Sequence, residues 1–247
     1  GRGGGKEVLS VVRTADLVVF LLSVFEIERY ERLSQELYDN NIRLDSSPPN
    51  VSIKKTGKGG IQVTLADDVD LDTDTIKGVL REHGYINANV TIHGDTTIDE
   101  LIDAIMDNRV YLPSMVAVNK ADLIDESYLP TVNQNLQSQG IDPESAVFIS
   151  AEAQKGLESL KQSMWDRLGL IRVYMDKPGR GVDYEEPLVL MDDACTVEDA
   201  ITKLGGNFAD RFRFARVQGT SAQHDNQQVG RDHELADEDI LRIITRR

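Results

Sequence analysis

The chain has 247 residues, enough for one large domain or two ordinary ones, and its 40% of hydrophobic residues is typical of a folded globular protein. The formal charge of −15 argues against broad non-specific binding to nucleic acid, so any RNA contact needs a local basic patch. The single cysteine, Cys195, excludes an internal disulfide, and no apolar run approaches the ~18 residues of a membrane span.

Acidic side chains are spread along the whole chain rather than gathered in a tail. We interpret this as a halophilic signature, because evenly spread negative charge keeps a protein soluble where salt screens its self-repulsion; an ordinary acidic cytosolic protein is the alternative. The chain begins with Gly-Arg-Gly-Gly-Gly and shows no signal peptide. The lack of an internal disulfide fits a reducing cytoplasm, so we predict a cytoplasmic protein.

Much of the chain alternates predicted helices with predicted strands. The apolar pattern predicts a helix over 7–16, a strand over 17–24, a helix over 27–37, strands over 115–118 and 146–149, and a helix after Gly156. Strands that alternate with helices indicate a parallel sheet of the doubly wound kind.

One connection in this pattern is too long. About 90 residues separate the strands at 17–24 and 115–118, whereas a crossover needs only about a dozen. Segments 51–55 and 61–65 are predicted to form a hairpin around the glycine-rich stretch 57–60. Further elements are expected as helices over 74–83 and 97–108 and a strand over 88–93. We therefore place a small α/β insertion at residues 43–93.

A second module is predicted from about Ile171 onwards. Its expected elements are strands over 171–175 and 188–190, a helix capped by Thr196 and ended by Gly205-Gly206, alternating strand residues from Phe212 to Val217, and a strand over 240–244. Two strands, a helix and further strands within about 75 residues indicate a β-grasp, ubiquitin-like module.

The strongest functional motif is Asn119-Lys120-Ala121-Asp122, which directly follows an apolar strand. Ligands of doubly wound sheets bind at the carboxyl ends of strands. A carboxylate such as Asp122 can accept the two parallel hydrogen bonds that guanine offers and adenine does not. The Lys120 stem could lie along the base, and Asn119 could brace neighbouring loops.

A second motif follows about 30 residues later, where another apolar strand ends in Ser150-Ala151. The backbone N–H of Ala151 is expected to point at the guanine oxygen. The order strand, N-K-x-D, helix, strand, S-A, helix is far more specific than either motif alone. We therefore predict a guanine-binding site formed by Asn119, Lys120, Asp122, Ser150 and Ala151.

The phosphate-holding half of such a site is missing from the chain, since no G-x-x-x-x-G-K-[ST] sequence occurs in it. The segment Gly1–Gly5 precedes Lys6, but Glu7 stands where a Mg²⁺-binding hydroxyl would be needed. We interpret it as the end of a glycine-rich loop that enters the first helix.

Taken together, these residues resemble the developmentally regulated GTP-binding proteins, a branch of the Obg-type GTPases. The resemblance rests on Gly-Arg-Gly-Gly-Gly-Lys-Glu-Val-Leu at 1–9, Arg-Thr-Ala-Asp-Leu at 13–17, Ile-Arg-Leu at 42–44, Pro-Pro-Asn at 48–50, Gly-Gly-Ile at 59–61, Asn-Arg-Val-Tyr-Leu-Pro at 108–113, and Val-Gly-Arg-Asp-His with Leu-Ala-Asp-Glu-Asp at 229–239. These stretches are ordered and cover nearly the whole chain.

The resemblance implies an α/β fold in three parts. Residues 1–42 and 94–170 would form the C-terminal part of a doubly wound, P-loop GTPase G domain, with the insertion at 43–93 of ribosomal-protein type. Residues 171–247 would form a β-grasp TGS domain. It also implies an upstream segment with the phosphate loop, so that Gly1–Gly5 would lie in the second switch.

The resemblance further implies binding of GTP or GDP, slow GTP hydrolysis with Mg²⁺, stimulation by K⁺, and work on ribosomes or translation. The partners it implies are the ribosome or RNA and a regulatory protein. Catalysis would depend on residues outside this chain, because no catalytic residue is predicted within it. The fragment alone is expected to bind GTP weakly or not at all. A nucleotide-independent module that binds ribosomes or proteins is the alternative function.

Two basic clusters are candidate RNA or ribosome contacts in this acidic chain: Lys54, Lys55 and Lys58 on the predicted insertion, and Arg211, Arg213 and Arg216 in the last module. Solvated surface side chains are the alternative for both clusters. No metal site is predicted, since the spacing of His224, Asp232 and His233 is not a usual ligand pattern. The acidic pair Asp192-Asp193 is expected in a solvated turn.

Overall fold

The computed structural model describes residues 4–66, 69–191 and 195–246. The residues before Gly4 in the glycine-rich segment, and the pair Asp192-Asp193, lie outside the described residues. The chain divides into two compact units, Gly1–Lys155 and Gly156–Arg247. No helix in the described ranges is both long and apolar enough to cross a membrane.

The first unit contains most of the predicted alternation. Its elements in chain order are α1 (Gly4–Val12), β1 (Val18–Ser23), α2 (Arg29–Asp39), β2 (Ile42–Leu44), β3 (Val51–Lys55), β4 (Ile61–Leu65), α3 (Thr73–Glu82), β5 (Ala88–Ile92), α4 (Ile98–Met106), β6 (Val110–Leu112), β7 (Ser114–Asn119), α5 (Leu129–Ser138) and β8 (Val147–Phe148). The helix predicted over 7–16 was misplaced, because α1 begins earlier and ends at Val12. The other predicted bounds agree to within about two or three residues.

A parallel sheet with strand order β1-β7-β8 lies at the centre of this unit. Its strands pair so that Ser23 lies beside Asn119 and Val118 beside Phe148, which brings their carboxyl ends to one edge. Helices α2 and α5 contribute Leu37, Val132 and Leu136 to the core beside Phe20, Leu22 and Val118. Continuous apolar strands need such cover because both faces of a parallel sheet are normally buried.

The predicted hairpin between segments 51–55 and 61–65 is wrong. The inserted sheet has the strand order β3-β5-β4, with β5 antiparallel to β3 and parallel to β4, so the two predicted hairpin strands do not pair. Strand β5 lies at the centre of this sheet. Its inward side chains Ala88, Val90 and Ile92 are the most buried of the three strands, at 0%, 1% and 0% exposure, which favours the central position. Helix α3 supplies Ile76 and Leu80 to the same core.

A buried ion cluster links α4, which packs on the inserted sheet, to β2 and to the start of β6. Asp103 on α4 accepts hydrogen bonds from Arg43 Nε and Nη2 at 2.6 and 2.9 Å and from Arg109 Nε at 2.6 Å. Arg43 lies on β2, which pairs in parallel with β6 directly after Arg109. Leu101, also on α4, packs into the core of the insertion. Helix α4 therefore contacts both the inserted sheet and the β2–β6 pair.

The second unit contains α6 (Leu157–Leu168), β9 (Leu170–Lys177), β10 (Gly181–Met191), α7 (Val197–Leu204), α8 (Phe208–Arg211), β11 (Phe212–Gln218), β12 (Gln227–Val229) and β13 (Asp239–Thr245). Its strands form one mixed sheet in the order β10-β9-β13-β11-β12, with β9 and β13 parallel. This is a β-grasp arrangement, so the predicted α/β fold class with a β-grasp module is confirmed.

Local signals in this unit are also confirmed. The Thr196 hydroxyl accepts the Asp199 N–H, and the Asp199 carboxylate accepts the Thr196 N–H, which forms a capping box at the start of α7. Gly205 ends the helix with φ +65°. Val197, Ala200 and Ile201 on α7 are buried in the core of the unit.

Candidate guanine-binding site

The two predicted guanine motifs follow adjacent strands of the central sheet. Asn119 is the last residue of β7, and Ser150 follows β8 after Ile149. The Ile149 N–H donates to the Val118 carbonyl at 2.9 Å, which continues the pairing beyond β8. Because β7 and β8 are parallel, the two loops leave the sheet at the same edge.

The Asn119 side chain ties these two loops together. Its Oδ1 accepts the Lys120 N–H at 2.8 Å and the Ala151 N–H at 3.1 Å. A second connection runs beneath it, where the Ala121 N–H donates to the Ile149 carbonyl at 3.0 Å. The predicted bracing by Asn119 is therefore present in the structure.

The backbone at Lys120 turns the motif away from the strand. Lys120 adopts φ +66°, a left-handed conformation that non-glycine residues use sparingly, and a single 3-10 turn, Ala121–Leu123, begins directly after it. The side chains of Lys120, which precedes this turn, and of Asp122, which lies within it, are both exposed. The strain is localised at the edge where ligands of such sheets bind.

The Asp122 carboxylate is exposed to solvent. Among the described residues it makes no hydrogen bond or ion pair. Both of its oxygens can therefore accept hydrogen bonds from a ligand, as two parallel donors of a guanine base require.

The loop after β8 is held by Ser150, which is only 2% exposed. Its backbone pairs with Lys155 through two hydrogen bonds, from Ser150 N to Lys155 O at 2.9 Å and from Lys155 N to Ser150 O at 3.0 Å. The Ser150 hydroxyl accepts the Ala153 N–H at 3.0 Å. Ser150 therefore shapes the loop from within, while Ala151 is exposed.

Ala151 differs from the expectation in one respect. Its N–H was expected to point at the guanine oxygen, but in this structure it donates to Asn119 Oδ1. A contact with a base would have to share or replace that hydrogen bond. Sequence reasoning also missed the roles of the Ile149 carbonyl and the Lys155 backbone, because backbone groups carry no residue-type signal.

The two basic clusters are both exposed to solvent. Lys54 and Lys55 lie on β3, and Lys58 lies in the turn between β3 and β4. In the second unit, Arg211 donates to the Arg246 carbonyl at 3.1 and 2.9 Å, and the Arg213 guanidinium lies 5.6 Å from the centre of the Phe214 ring. Arg216 pairs opposite Arg242 across β11 and β13. Their roles as RNA contacts stay predictions.

Two family models match the chain. The C-terminal region of the MMR_HSR1 domain matches residues 58–170, and the TGS domain matches residues 171–245. Among solved structures, a GTP-binding protein from Pyrococcus horikoshii OT3 is 19% identical with a TM-score of 0.43, over 72% of this chain and 58% of that chain.

Several curated proteins are similar over the whole chain. A GTP-binding protein of Halobacterium salinarum is 61% identical over 247 residues, which cover 100% of this chain and 66% of that protein. Developmentally-regulated GTP-binding protein 1 of Xenopus laevis is 36% identical, over 99% of this chain and 65% of that protein. Ribosome-interacting GTPase 1 of Saccharomyces cerevisiae is 35% identical, again over 99% and 65%.

The chain thus spans just under two thirds of the length of each of these relatives. Because the matches cover 99–100% of this chain, they include both motifs of the candidate site, the insertion and the β-grasp module. The chain belongs to the family of developmentally regulated GTP-binding proteins, and it is of the archaeal, halophilic type.

Proposed function

We propose that this chain supplies the guanine-recognising half of a GTPase that acts on ribosomes or in translation. The observation that carries the proposal is the pairing of the two loops through Asn119, which leaves the Asp122 carboxylate exposed at the carboxyl edge of the sheet. In this proposal Asp122 accepts the ring N–H and the exocyclic amine of guanine. A site built on such paired hydrogen bonds rejects analogues that lack the donors.

The neighbouring residues have supporting roles in the proposed complex. The Lys120 stem lies along the face of the base, and Asn119 and Ser150 hold the two loops in place. The Ala151 N–H moves its hydrogen bond from Asn119 Oδ1 to the guanine oxygen, or shares it between the two acceptors. The two loops are therefore held in place before the nucleotide binds, and the Ala151 hydrogen bond is the one that changes on binding.

Phosphate binding and hydrolysis are assigned to parts of the full-length protein outside this chain. The chain contains no G-x-x-x-x-G-K-[ST] sequence, and backbone amides and a lysine normally supply much of the affinity for phosphates. Mg²⁺ and K⁺, implied by the family resemblance, would act there. No three His, Cys, Asp or Glu side chains of the described ranges group as a metal site, so no step of the proposal uses a metal on this chain.

The proposal includes the ribosome or RNA as partner, a regulatory protein partner, and the cytoplasm as location. The ribosome as partner is supported by the yeast relative, which is named a ribosome-interacting GTPase. The proposed domains are the G-domain parts at 1–42 and 94–170, the insertion at 43–93 and the TGS domain at 171–247. The matched TGS model spans 171–245.

The test is a change of base preference in the full-length protein. Asp122→Asn should lower the affinity for GTP by roughly 100-fold or more, since two hydrogen bonds to a charged acceptor are lost. The same variant should gain affinity for XTP, whose second ring carbonyl accepts from the new amide. Binding is measured by competition with a fluorescent guanine nucleotide.

Asp125→Asn is the matched control, because Asp125 is an exposed carboxylate of the same loop that instead accepts Ser127 Oγ at 2.6 Å. It should leave the preference for GTP unchanged. An Asp122→Asn protein that keeps full GTP affinity would refute base recognition by this motif. Tight, Mg²⁺-dependent GTP binding by the 247-residue chain alone would refute the division of labour, and no GTP binding by the full-length protein would favour the nucleotide-independent module.

A further inference from the structure

The inserted sheet has one end that lies opposite its connections to the rest of the first unit. The chain enters and leaves at the end where Val51 pairs with Ile92. At the opposite end, Lys55 and Ile61 both pair with Ala88. We call this end, formed by residues 54–60 and 81–89, the distal tip.

The distal tip is positively charged in a strongly negative protein. It contains the cations Lys54, Lys55, Lys58 and Arg81 against the single carboxylate Glu82, whereas the whole chain carries −15. All four cations are exposed. The other described carboxylates of residues 51–92 lie at the opposite end, with Asp70 and Asp72 between β4 and α3 and Asp74 in the first turn of α3. The insertion is therefore charge-polarised along its strands.

The cations are mounted on an ordered frame. The Thr56 N–H donates to the Asn87 carbonyl at 3.1 Å, the Gly60 N–H donates to Asn87 Oδ1 at 2.8 Å, and the Thr56 hydroxyl donates to the Lys58 carbonyl at 3.2 Å. These bonds close the glycine-rich turn over the start of β5. Lys58 thus projects from a turn that is already in one conformation, which lowers the entropy lost on binding.

Two further side chains give the tip a contact surface beyond charge. The Lys55 ammonium lies 4.8 Å from the centre of the Tyr85 ring. Next to Tyr85, Ile86 is 80% exposed, which is unusual for an isoleucine. A basic surface with an aromatic ring and an exposed apolar side chain suits a large partner better than a small ion.

The open face of the inserted sheet continues this surface without negative charge. Lys54, Asn89 and Gln62 form one row across the three strands, and Ser52, Thr91 and Thr64 form the next. Amide and hydroxyl groups of this kind contact phosphate and sugar oxygens in nucleic-acid complexes. An asparagine is also a poor β former at the centre of a sheet, so Asn89 is not explained by strand stability.

We propose that the distal tip binds the phosphate backbone of RNA, with Lys54, Lys55 and Lys58 on phosphates and Tyr85 and Ile86 against sugar or base. RNA is favoured over an acidic protein because polar, uncharged side chains flank the lysines, as they do where phosphate and sugar are bound together. The inference rests on the proposed ribosome or RNA partner but not on guanine recognition. It places the RNA contact on the insertion rather than on the arginines of the second unit.

The experiment measures RNA affinity of the full-length protein without nucleotide. A fluorescein-labelled RNA hairpin is titrated by fluorescence anisotropy between about 0.5 and 3 M KCl, where the Debye length is a few ångströms and only direct contacts persist. The variant K54Q/K55Q/K58Q should bind at least ~10-fold more weakly. The slope of log K against log salt should become shallower by roughly two to three, the value for three phosphate contacts.

K161Q/R180Q/K203Q is the matched control, since these three exposed side chains change the net charge equally outside the tip. It should bind the hairpin within a few-fold of the unchanged protein. Lys58→Gln alone, in a surface turn, gives a milder second variant with a slope change of about one. Circular dichroism at each salt concentration verifies folding.

Equal losses in the two triple variants, or no hairpin binding at the lowest salt, would overturn the proposal. So would polyglutamate competing as well as RNA with the same dependence on the three lysines, which would point to an acidic protein. If the tip variant loses no RNA affinity but still sediments with ribosomes, the tip assignment fails while the proposed function stands. GTP binding by the same preparations reports separately on the guanine site.

Discussion

Asn119 Oδ1 accepts the backbone N–H of Ala151 at 3.1 Å, although 32 residues separate the two in the sequence. The same oxygen accepts the N–H of Lys120. One side-chain atom therefore links the loop that would read the base to the loop that would flank it, beside the backbone hydrogen bond from Ala121 to Ile149.

Removal of this oxygen should loosen both loops. Asn119→Ala in the full-length protein should weaken GTP binding by about 10-fold, because two backbone donors lose their acceptor. Asn119→Asp keeps an acceptor of the same shape and should retain the loop pairing. Hydrogen exchange at the Ala151 amide distinguishes the two: fast in Asn119→Ala and slow in Asn119→Asp. Equal protection in both variants would show that this hydrogen bond does not hold the loops.

The cluster around Asp103 should dominate the stability of the junction between the insertion and β2–β6. The side chains of Asp103, Arg43 and Arg109 are 7%, 12% and 13% exposed, so Asp103→Asn leaves two guanidinium groups buried without a counter-charge. Breaking a buried pair in this way costs about 3–5 kcal/mol. Hydrogen exchange of peptides from α4, β2 and β6 should report the loss.

The control for Asp103→Asn is Glu158→Gln, which breaks the pair between Glu158 and Lys161, whose side chains are 88% and 70% exposed. Exposed pairs contribute little, so exchange in α6 should not change measurably. An unchanged exchange pattern in Asp103→Asn would mean that apolar packing, not the ion cluster, holds the junction.

Acid should weaken the same junction. Burial opposes ionisation of Asp103, but hydrogen bonds from Arg43 and Arg109 outweigh it and hold the pKa of this carboxyl below its usual value of 3.8. A depressed folded-state pKa contributes stability that is complete above the unfolded-state pKa and lost as the pH falls through the folded-state pKa. The free energy of unfolding of the first unit should therefore fall below about pH 4.

In the second unit, the side-chain hydrogen bond from Arg172 similarly lowers the pKa of Asp237. The Arg172 guanidinium lies 5.7 Å from the ring of Trp165, the one tryptophan of the chain, so tryptophan fluorescence in denaturant titrations can follow this unit. Asp237→Asn should make the acid dependence of that signal shallower. A dependence as steep as in the unchanged protein would assign it to other carboxylates.

Gly219 should not tolerate a side chain. It has φ +144°, and an added Cβ would lie 3.0 Å from the Asp239 Cα and in collision with its carboxylate. Asp239 is fully buried and accepts the N–H groups of Ser221 and Ala236 at 3.3 and 2.8 Å, so it cannot move away freely. Gly219→Ala should destabilise the second unit by about 2 kcal/mol or more, measured by denaturation followed through Trp165.

Gly78→Ala, within helix α3, should increase stability rather than lower it. An added Cβ at Gly78 meets no atom within 4 Å, and α3 is helical at that position. Alanine should stabilise α3 by about 0.5–1 kcal/mol, because glycine loses more backbone freedom on folding. Slower hydrogen exchange in α3 would confirm this prediction. A lower stability of Gly78→Ala would show that this face of α3 requires the space that glycine leaves open.

Local chemistry in the sequence determined most helices and strands of this protein and the residue types of its candidate site. The Thr196 cap, the Gly205 helix end and the apolar strands before Asn119 and Ser150 each depend on neighbours within a few residues, so their patterns were sufficient. The order of the two guanine motifs also identified which strand ends should carry the site.

The tertiary structure alone decided which elements became neighbours. Sequence proximity predicted that β3 and β4 pair, but β5 lies between them because its three inward side chains bury more completely than those of either edge strand. The hydrogen bond from Ala151 to Asn119 and the cluster on Asp103 are likewise contacts over 32 and 60 residues of chain. Residue patterns report periodicity and local bonding, whereas such long-range pairings depend on competition for burial in the folded core.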